Sequence, residues 1–268
     1  NYWVGIIIEK NKMIKKINFK KKPIICLTSY NKYFAEIADE YCDIVLVGDS
    51  LGMVYYGDPS TQSVSLDEMI RHAKSVRSGV RKSIMVVDMP YGTYKNISLA
   101  KLNALRIIRE TKCDAVKLEG GKEIIHIIKY LIKNKINVMG HIGLLPQKIR
   151  SKKDYKIKGK RLFEKKKIIN DLKCIQESGV FAIVLEAVKY QTANEVMKFA
   201  KIPVIGIGAS EQCDGQILVF EDMIGMFEKV PKFVKKYLNL RSYIKRAVKQ
   251  YSKDIKDKKF PTKRNVYY

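Results

Sequence analysis

Short apolar runs recur along the chain and alternate with segments whose apolar residues follow helical spacing. Several runs are nearly continuous in Val, Ile, Leu and Met, which is typical of parallel strands covered on both faces. The predicted strands are 25–29, 43–50, 83–90, 114–121, 136–143, 181–188, 203–210 and 215–222. The predicted helices are 65–79, 98–112, 122–134, 165–178 and 191–200.

Strand–helix alternation repeated about eight times in about 250 residues predicts an α/β fold, a TIM (β/α)8 barrel. A doubly wound sheet is the alternative, but the Gly-rich phosphate-binding turn that it needs after an early strand is missing from the sequence. Only the four residues 211–214 separate the last two runs, so a helix is absent there or the last run is itself helical. We expect one catalytic domain over 13–268, with 1–12 a peripheral extension and Met13 the natural start.

Polar side chains follow the ends of several predicted strands, and in this fold the active site lies at the carboxyl ends of the strands. These side chains are Asp49, Ser50, Asp88, Lys117, Glu119, His141 and Glu186. Each alone has a structural explanation, such as a helix N-cap for an aspartate, an ion pair for the lysine or a packing role for the histidine. Together they favour a functional site, because crowded ionisable groups are costly and several acids need a cation.

The ligand chemistry indicates which cation. Carboxylates without a cysteine or multi-histidine cluster suit Mg²⁺ before Zn²⁺, and Asp49 and Asp88 with a more distant Glu119 fit such a site. The expected reaction is proton abstraction next to a carbonyl. Glu186, across the barrel from the second strand, is the candidate base, and Lys117 is expected to hold a carboxylate or enolate oxygen.

Composition changes this picture little. The chain has 52 Lys and Arg against 27 Asp and Glu, a formal charge of +25, but no nucleic-acid-binding motif accompanies the lysines. Its five cysteines show no Cys-x-x-Cys spacing, which suits a reduced cytoplasm. No apolar run in the sequence is long enough to span a membrane. Residues 229–268, the most basic stretch, are interpreted as packed helices with solvated lysines.

The same residues lie in blocks that closely resemble the ketopantoate hydroxymethyltransferase family of the phosphoenolpyruvate-mutase/isocitrate-lyase group of TIM barrels. The resemblance covers nearly the whole chain after about residue 13. The blocks include VGDSLGMVYYG (47–57), VVDMPYGTY (86–94), VMGHIGLLPQ (138–147), ESGVFAIVLEAV (177–188) and PVIGIGASEQCDGQILVFEDMIG (203–225).

The resemblance implies transfer of a one-carbon unit from the co-substrate 5,10-methylenetetrahydrofolate to 2-oxoisovalerate, giving 2-dehydropantoate for pantothenate and coenzyme A synthesis. It implies that Asp49 and Asp88 bind Mg²⁺ directly and Glu119 through water, while the 2-oxo acid chelates the ion. Ser50 and Lys117 would hold the 2-oxo acid, Glu186 would remove its C3 proton, and His141 would line the pocket. It also implies a homodecamer.

The chain departs from the usual family pattern at Ser210, Leu145 and Tyr91. Ser210 replaces a glycine and is expected to crowd a turn or the folate side. Two other functions stay open. One is a C–C lyase or mutase of the same barrel group, although 144–164 lacks the loop cysteine usual in those lyases. The other is a basic nucleic-acid-binding protein.

Overall fold

The computed structural model describes residues 23–149 and 154–268, and its strands form a closed barrel in the order β1 to β8. Every neighbouring pair is parallel, including β8 with β1. The strands are β1 (Ile24–Thr28), β2 (Ile44–Val47), β3 (Ile84–Asp88), β4 (Ala115–Glu119), β5 (Val138–Gly143), β6 (Ala182–Glu186), β7 (Val204–Ile207) and β8 (Gly215–Leu218). The predicted TIM barrel is confirmed and the doubly wound alternative is wrong, because β8 closes on β1.

A helix follows each of the first six strands. The helices are α1 (Lys32–Tyr41), α2 (Leu66–Gly79), α3 (Ile97–Thr111), α4 (Ile125–Lys133), α5 (Leu162–Gln176), α6 (Tyr190–Phe199), α7 (Phe220–Met223) and α8 (Leu240–Lys256). Helix α1 was not predicted, although Asn31 caps it by accepting the N–H of Phe34. Ser65 and Glu68 form the predicted capping box of α2. In the described chain no helix separates β7 from β8, as the short spacing allowed, and the second half of the run 215–222 is helical.

Alternate residues of the strands fill the barrel interior. The buried interior cluster contains, among others, Val86 of β3, Ala115 of β4, Met139 of β5 and Val184 of β6. Because side chains of a strand alternate with period two, the residue two positions further on points the same way. The polar residues at the ends of these four strands therefore form the next inward-facing layer, adjacent to the buried interior cluster. They are Asp88, Lys117, His141 and Glu186.

The stretch 144–164, between β5 and the start of α5, is described except for 150–153. It begins with a 3₁₀ turn at Pro146–Lys148, and Lys158 forms a parallel bridge with Val188. Leu144, Ile149 and Ala187 form a small buried cluster with Tyr155 against it. The apolar contacts anchor both described ends of this stretch. The predicted extension 1–12 lies outside the described residues.

The chain divides into two compact units, the first ending at Leu218 and the second spanning Val219–Tyr268. In the second unit, the N–H groups of Tyr237 and Leu240 donate to Met223 and Ile224 carbonyls at 2.8 and 2.9 Å. The interpretation of 229–268 as packed helices is wrong in part. Within 229–268, only α8 is a long helix, and Tyr237 lies before its first residue. None of the residues of α8 is buried. The single-domain boundary 13–268 stays a prediction.

Among the described residues, no helix is long and apolar enough to cross a membrane.

Candidate active site

The predicted polar residues meet at the carboxyl ends of the strands. Asp88 pairs in register with Lys117, and Glu119 pairs with His141. Glu186 pairs with Gly143 on the other side of β5. Asp49 follows β2, which lies opposite β6 in the closed barrel. Except for Ser50 and Glu186, each predicted site residue is buried, with at most 3% of its surface exposed.

Asp49 and Asp88 are adjacent. The N–H of Asp49 donates to Asp88 Oδ2 at 3.1 Å, which turns the chain after β2 toward β3. Burial, followed by the charges of Asp88 and Glu119, raises the pKa of Asp49 well above its usual value. The acid that ends β2 is therefore one of a crowded group, and its charged form needs further positive charge.

Lys117 supplies the positive charge in this group. Its Nζ lies 3.1 Å from Asp88 Oδ1 and 3.9 Å from Glu119 Oε1. Burial acts to lower the pKa of Lys117, but the charges of Asp88, Glu119 and Asp49 outweigh it and raise that pKa. Lys117 therefore remains an ammonium group.

His141 lies between Lys117 and the predicted base. Burial, then the charge of Lys117, holds the pKa of His141 well below its usual value, so the imidazole is neutral. Lys117 Nζ, which can only donate, lies 3.0 Å from His141 Nδ1. Nδ1 therefore accepts and Nε2 carries the proton, 3.4 Å from Glu186 Oε2.

Glu119 and Glu186 are carboxyl groups whose charged forms are disfavoured. Burial is the main cause in both, and it raises the pKa of Glu119 to about 8 and that of Glu186 to about 7. A carboxylate with a pKa near neutrality is suited to accept a proton at neutral pH. The side chain of Glu186 is also the more accessible, at 14% exposure against 2% for Glu119.

Ser50 lies at the rim of the site, half-buried, and its hydroxyl is 2.7 Å from the Tyr30 hydroxyl. Tyr30 is itself buried, and its backbone carbonyl is bonded by His72 Nδ1 at 2.7 Å. His72 of α2 thus supports the loop that contains Tyr30, the hydrogen-bond partner of Ser50.

Two residues that the strand-end analysis did not select also belong to the site. Gln147 Nε2 donates to Asp49 Oδ2 at 2.7 Å, and its backbone N–H donates to Glu119 Oε2 at 3.0 Å. The Tyr94 hydroxyl donates to Gln147 Oε1 at 2.5 Å and accepts the N–H of Glu119 at 3.3 Å. Both lie beyond the strand ends, so the available signal was their place in the blocks VVDMPYGTY and VMGHIGLLPQ.

A cleft of about 330 Å³ opens beside these residues, and Tyr94, Glu119 and Gln147 belong to both the cleft wall and the site. Tyr91 and Lys95, from the loop after β3, line its outer part. The cleft gives the rim of the barrel an open space next to the acids.

The residues present fit a magnesium ion held by few protein ligands. In 23–149 and 154–268, no three His, Cys, Asp or Glu side chains are grouped closely enough to hold a metal ion. Mg²⁺ typically takes one or two carboxylates and completes its shell with water and substrate oxygens. Asp88 Oδ1 is buried and makes no hydrogen bond within the described chain, although Lys117 lies beside it. Asp49 and Asp88, which lie side by side, can therefore serve as direct ligands.

The serine at position 210 does not strain its turn. Its backbone lies outside the left-handed region, so a Cβ is accommodated. Its hydroxyl donates to Asn194 Oδ1 at 2.5 Å and accepts the N–H of Gln212 at 3.1 Å. The expected crowding of the turn is therefore wrong, while an effect on the folate side stays a prediction.

Comparison with solved structures supports the fold. The chain matches 2,3-dimethylmalate lyase, described as a PEP mutase/isocitrate lyase superfamily member, with a TM-score of 0.62 at 12% identity, covering 96% of this chain and 92% of that one. It matches phosphonopyruvate hydrolase, solved with oxalate and Mg²⁺, with a TM-score of 0.61 at 10% identity, covering 96% and 93%. At these identities the likeness shows the barrel alone.

Sequence comparison identifies the family. A protein of Pelagibacter ubique (strain HTCC1062) named 3-methyl-2-oxobutanoate hydroxymethyltransferase is 54% identical over 260 residues, covering 95% of this chain and all of that protein. A protein of the same name from Wolinella succinogenes is 45% identical over 261 residues, covering 96% of this chain and all of that one. The family model described as ketopantoate hydroxymethyltransferase matches residues 9–263. This chain therefore belongs to the ketopantoate hydroxymethyltransferase family.

Proposed function

We propose that this protein is the 3-methyl-2-oxobutanoate hydroxymethyltransferase of its organism and transfers a hydroxymethyl group to 2-oxoisovalerate, giving 2-dehydropantoate for pantothenate synthesis. The donor is 5,10-methylenetetrahydrofolate. Water supplies the hydroxyl oxygen of the product, and tetrahydrofolate leaves. The family match over residues 9–263 carries this proposal, and the polar layer at the strand ends supports it.

Charge balance at the site supports a divalent cation. Four carboxylates, Asp49, Asp88, Glu119 and Glu186, face one lysine and one neutral imidazole in a buried barrel mouth. Like charges this close raise each other's pKa unless a cation offsets them. Mg²⁺ held by Asp49 and Asp88, with Glu119 through water, would polarise the keto group as a Lewis acid.

The protein's own residues account for the proton transfer. Glu186 takes the proton from C3 of the 2-oxo acid, and the C–H electron pair becomes the C2–C3 double bond of an enolate. The ammonium of Lys117 stabilises the oxygen that gains charge, and Ser50 and Lys117 hold the acid in place. His141, with its proton on Nε2, faces Glu186 and lines the pocket. C3 then forms its new bond to the one-carbon unit of the donor. Both C–N bonds of that unit break, the two nitrogens leave protonated as tetrahydrofolate, and water supplies the hydroxyl oxygen.

Hydrogen exchange tests the proton transfer separately from the folate. In D₂O with Mg²⁺ and no folate, the wild-type protein is expected to exchange the C3 hydrogen of 2-oxoisovalerate, followed by NMR. Glu186→Gln is expected to lower this rate by about 10²- to 10⁴-fold, the usual contribution of a positioned base. Glu110→Gln on α3, an exposed carboxylate paired with Lys74, is the matched control. Exchange by Glu186→Gln at the wild-type rate would exclude Glu186 as the base.

The complete reaction tests the substrates. Formation of 2-dehydropantoate by the wild-type protein requires the 2-oxo acid and methylenetetrahydrofolate, and a chelator is expected to abolish it. If the C3 hydrogen exchanges but no product forms, the proposed proton transfer is retained and methylenetetrahydrofolate is excluded as the donor. Cleavage of a 2-oxo acid would instead favour the lyase alternative. Steeply salt-dependent binding of nucleic acid, with neither reaction, would favour the third alternative.

We also propose a cytoplasmic homo-oligomer, a decamer by family resemblance. Apolar side chains on α1 support association with further copies, since Tyr33 and Tyr41 are 72% and 71% exposed in the single chain. Light scattering after size-exclusion chromatography measures the mass directly, and a monomer at micromolar concentration would contradict assembly.

A further inference from the structure

Gln147 makes hydrogen bonds through both ends of its side-chain amide and through its backbone N–H and carbonyl. It lies in the 3₁₀ turn Pro146–Lys148 after β5 and is 2% exposed. Its side-chain nitrogen donates to Asp49 Oδ2 at 2.7 Å and to the Met89 carbonyl at 2.9 Å. Its backbone N–H donates to Glu119 Oε2 at 3.0 Å. One neutral residue thus holds two of the proposed metal-binding acids.

The orientation of the Gln147 amide is determined by its partners. Asp49 Oδ2 and the Met89 carbonyl can only accept hydrogen bonds when Asp49 is ionised, so both must face the NH₂ group. The Tyr94 hydroxyl then donates to Oε1 on the other side. A flipped amide would place its oxygen against two acceptor oxygens, which makes the observed orientation the stable one.

The turn that carries Gln147 is itself held in place. Gln62 Nε2, from the loop between β2 and α2, donates to the Gln147 carbonyl at 2.8 Å. On either side of the turn, Leu144 and Ile149 belong to the small buried cluster with Ala187. The amide is therefore presented from a fixed backbone.

A neutral donor suits this position. A lysine or arginine next to Asp49 would offset its charge and compete with a cation for the same oxygens. An amide orders the carboxylate while leaving its charge and its second oxygen available. Removal of a residue that hydrogen-bonds a metal ligand commonly changes metal affinity 10- to 100-fold.

We propose that Gln147 is a positioning residue that orients Asp49 and Glu119 for a divalent cation without neutralising them. The inference depends on the proposed metal site at Asp49 and Asp88. Gln147 is not a ligand in this assignment. It acts through the side-chain amide on Asp49 and the backbone N–H on Glu119.

Binding of Mn²⁺ alone to the full chain tests the inference, with free Mn²⁺ measured by electron paramagnetic resonance and no 2-oxo acid present. Gln147→Met keeps the length of the side chain and removes the two N–H bonds of its amide, to Asp49 and the Met89 carbonyl, while the backbone N–H to Glu119 stays. We expect its Kd for Mn²⁺ to be about 10- to 100-fold higher than that of the wild type. Gln176→Met is the matched control, because the Gln176 amide bonds the Phe199 carbonyl and the Lys201 N–H at the far end of α5. Its Kd should equal that of the wild type.

Tyr94→Phe provides a second variant that changes the site less. It removes the hydroxyl that donates to Gln147 Oε1 and accepts the Glu119 N–H, and it is expected to raise the Kd severalfold with urea unfolding near that of the wild type. A wild-type protein that binds no Mn²⁺ overturns the metal site itself. Wild-type binding with an unchanged Kd in Gln147→Met, or in Tyr94→Phe if the first variant does not fold, overturns the role of Gln147 and leaves the metal site standing.

Discussion

The partly buried carboxyl of Glu186 should make stability fall as pH rises. Its folded-state pKa is about 7 against an ordinary value of 4.5, with burial as the main cause. Below pH 4.5 the group is protonated in both states. Between the two values the unfolded chain loses the proton first, so the free energy of unfolding decreases with pH, and above about 7 the slope ends.

The magnitude follows from the two pKa values. A full difference of 2.5 units corresponds to about 3.4 kcal/mol at 1.36 kcal/mol per unit. Over pH 5 to 8 the titration curves of the two states give a loss of about 2.5 kcal/mol from this group. Asp49, whose pKa is also raised by burial, lowers the stability of wild type and variant alike. The charge of Glu186 adds to the raised pKa of Glu119, so the comparison with Glu186→Gln includes that smaller effect.

Urea unfolding followed by far-UV circular dichroism at pH 5, 6, 7 and 8, with a chelator present, measures the effect in wild type and Glu186→Gln. The wild type is expected to lose about 2.5 kcal/mol more than the variant between pH 5 and 8. Glu110→Gln, at an exposed position on α3, should follow the wild-type curve. Parallel curves for wild type and Glu186→Gln would refute the assignment of a raised pKa to Glu186.

Three further substitutions test the scaffold. Gly143→Ala should lower kcat about 100-fold, because Gly143 has φ of +94° and an added Cβ would lie 2.5 Å from the Glu186 carbonyl oxygen; an unchanged kcat would contradict this. Asp39→Asn should reduce the free energy of unfolding in urea by about 1–3 kcal/mol, because the carboxylate accepts the backbone N–H groups of 81–83. Equal stability of this variant would show those bonds to be dispensable. Ser65→Ala should cost about 1 kcal/mol through loss of the N-cap of α2, with kcat unchanged, and a larger effect on kcat than on stability would argue against a purely local cap.

The family comparison and the closed barrel confirm the predicted family, enzyme class and fold. The assignment of Asp49, Ser50, Asp88, Lys117, Glu119, His141 and Glu186 to individual roles stays a proposal, although the structure places most of them together.

The sequence by itself determined the local features of this protein. Continuous apolar runs and helical periodicity are properties of neighbouring residues, so all eight strands and five of the helices were predicted from them. The polar residues that end the strands follow from the same local pattern. Strand ends were predicted too long, as at 43–50 against Ile44–Val47, because the last ladder hydrogen bond depends on the neighbouring strand.

Only the tertiary structure decided which groups meet. Closure of β8 on β1 brings Asp49 and Glu186 from opposite walls to one mouth of the barrel, where burial is the main cause that raises both pKa values and the charge of Asp88 adds to it. Gln147 reaches Asp49 across 98 positions of chain, a contact that no local pattern encodes. Local periodicity sets which face of a strand is apolar, whereas the distances and charges that make a site arise from residues far apart in the chain.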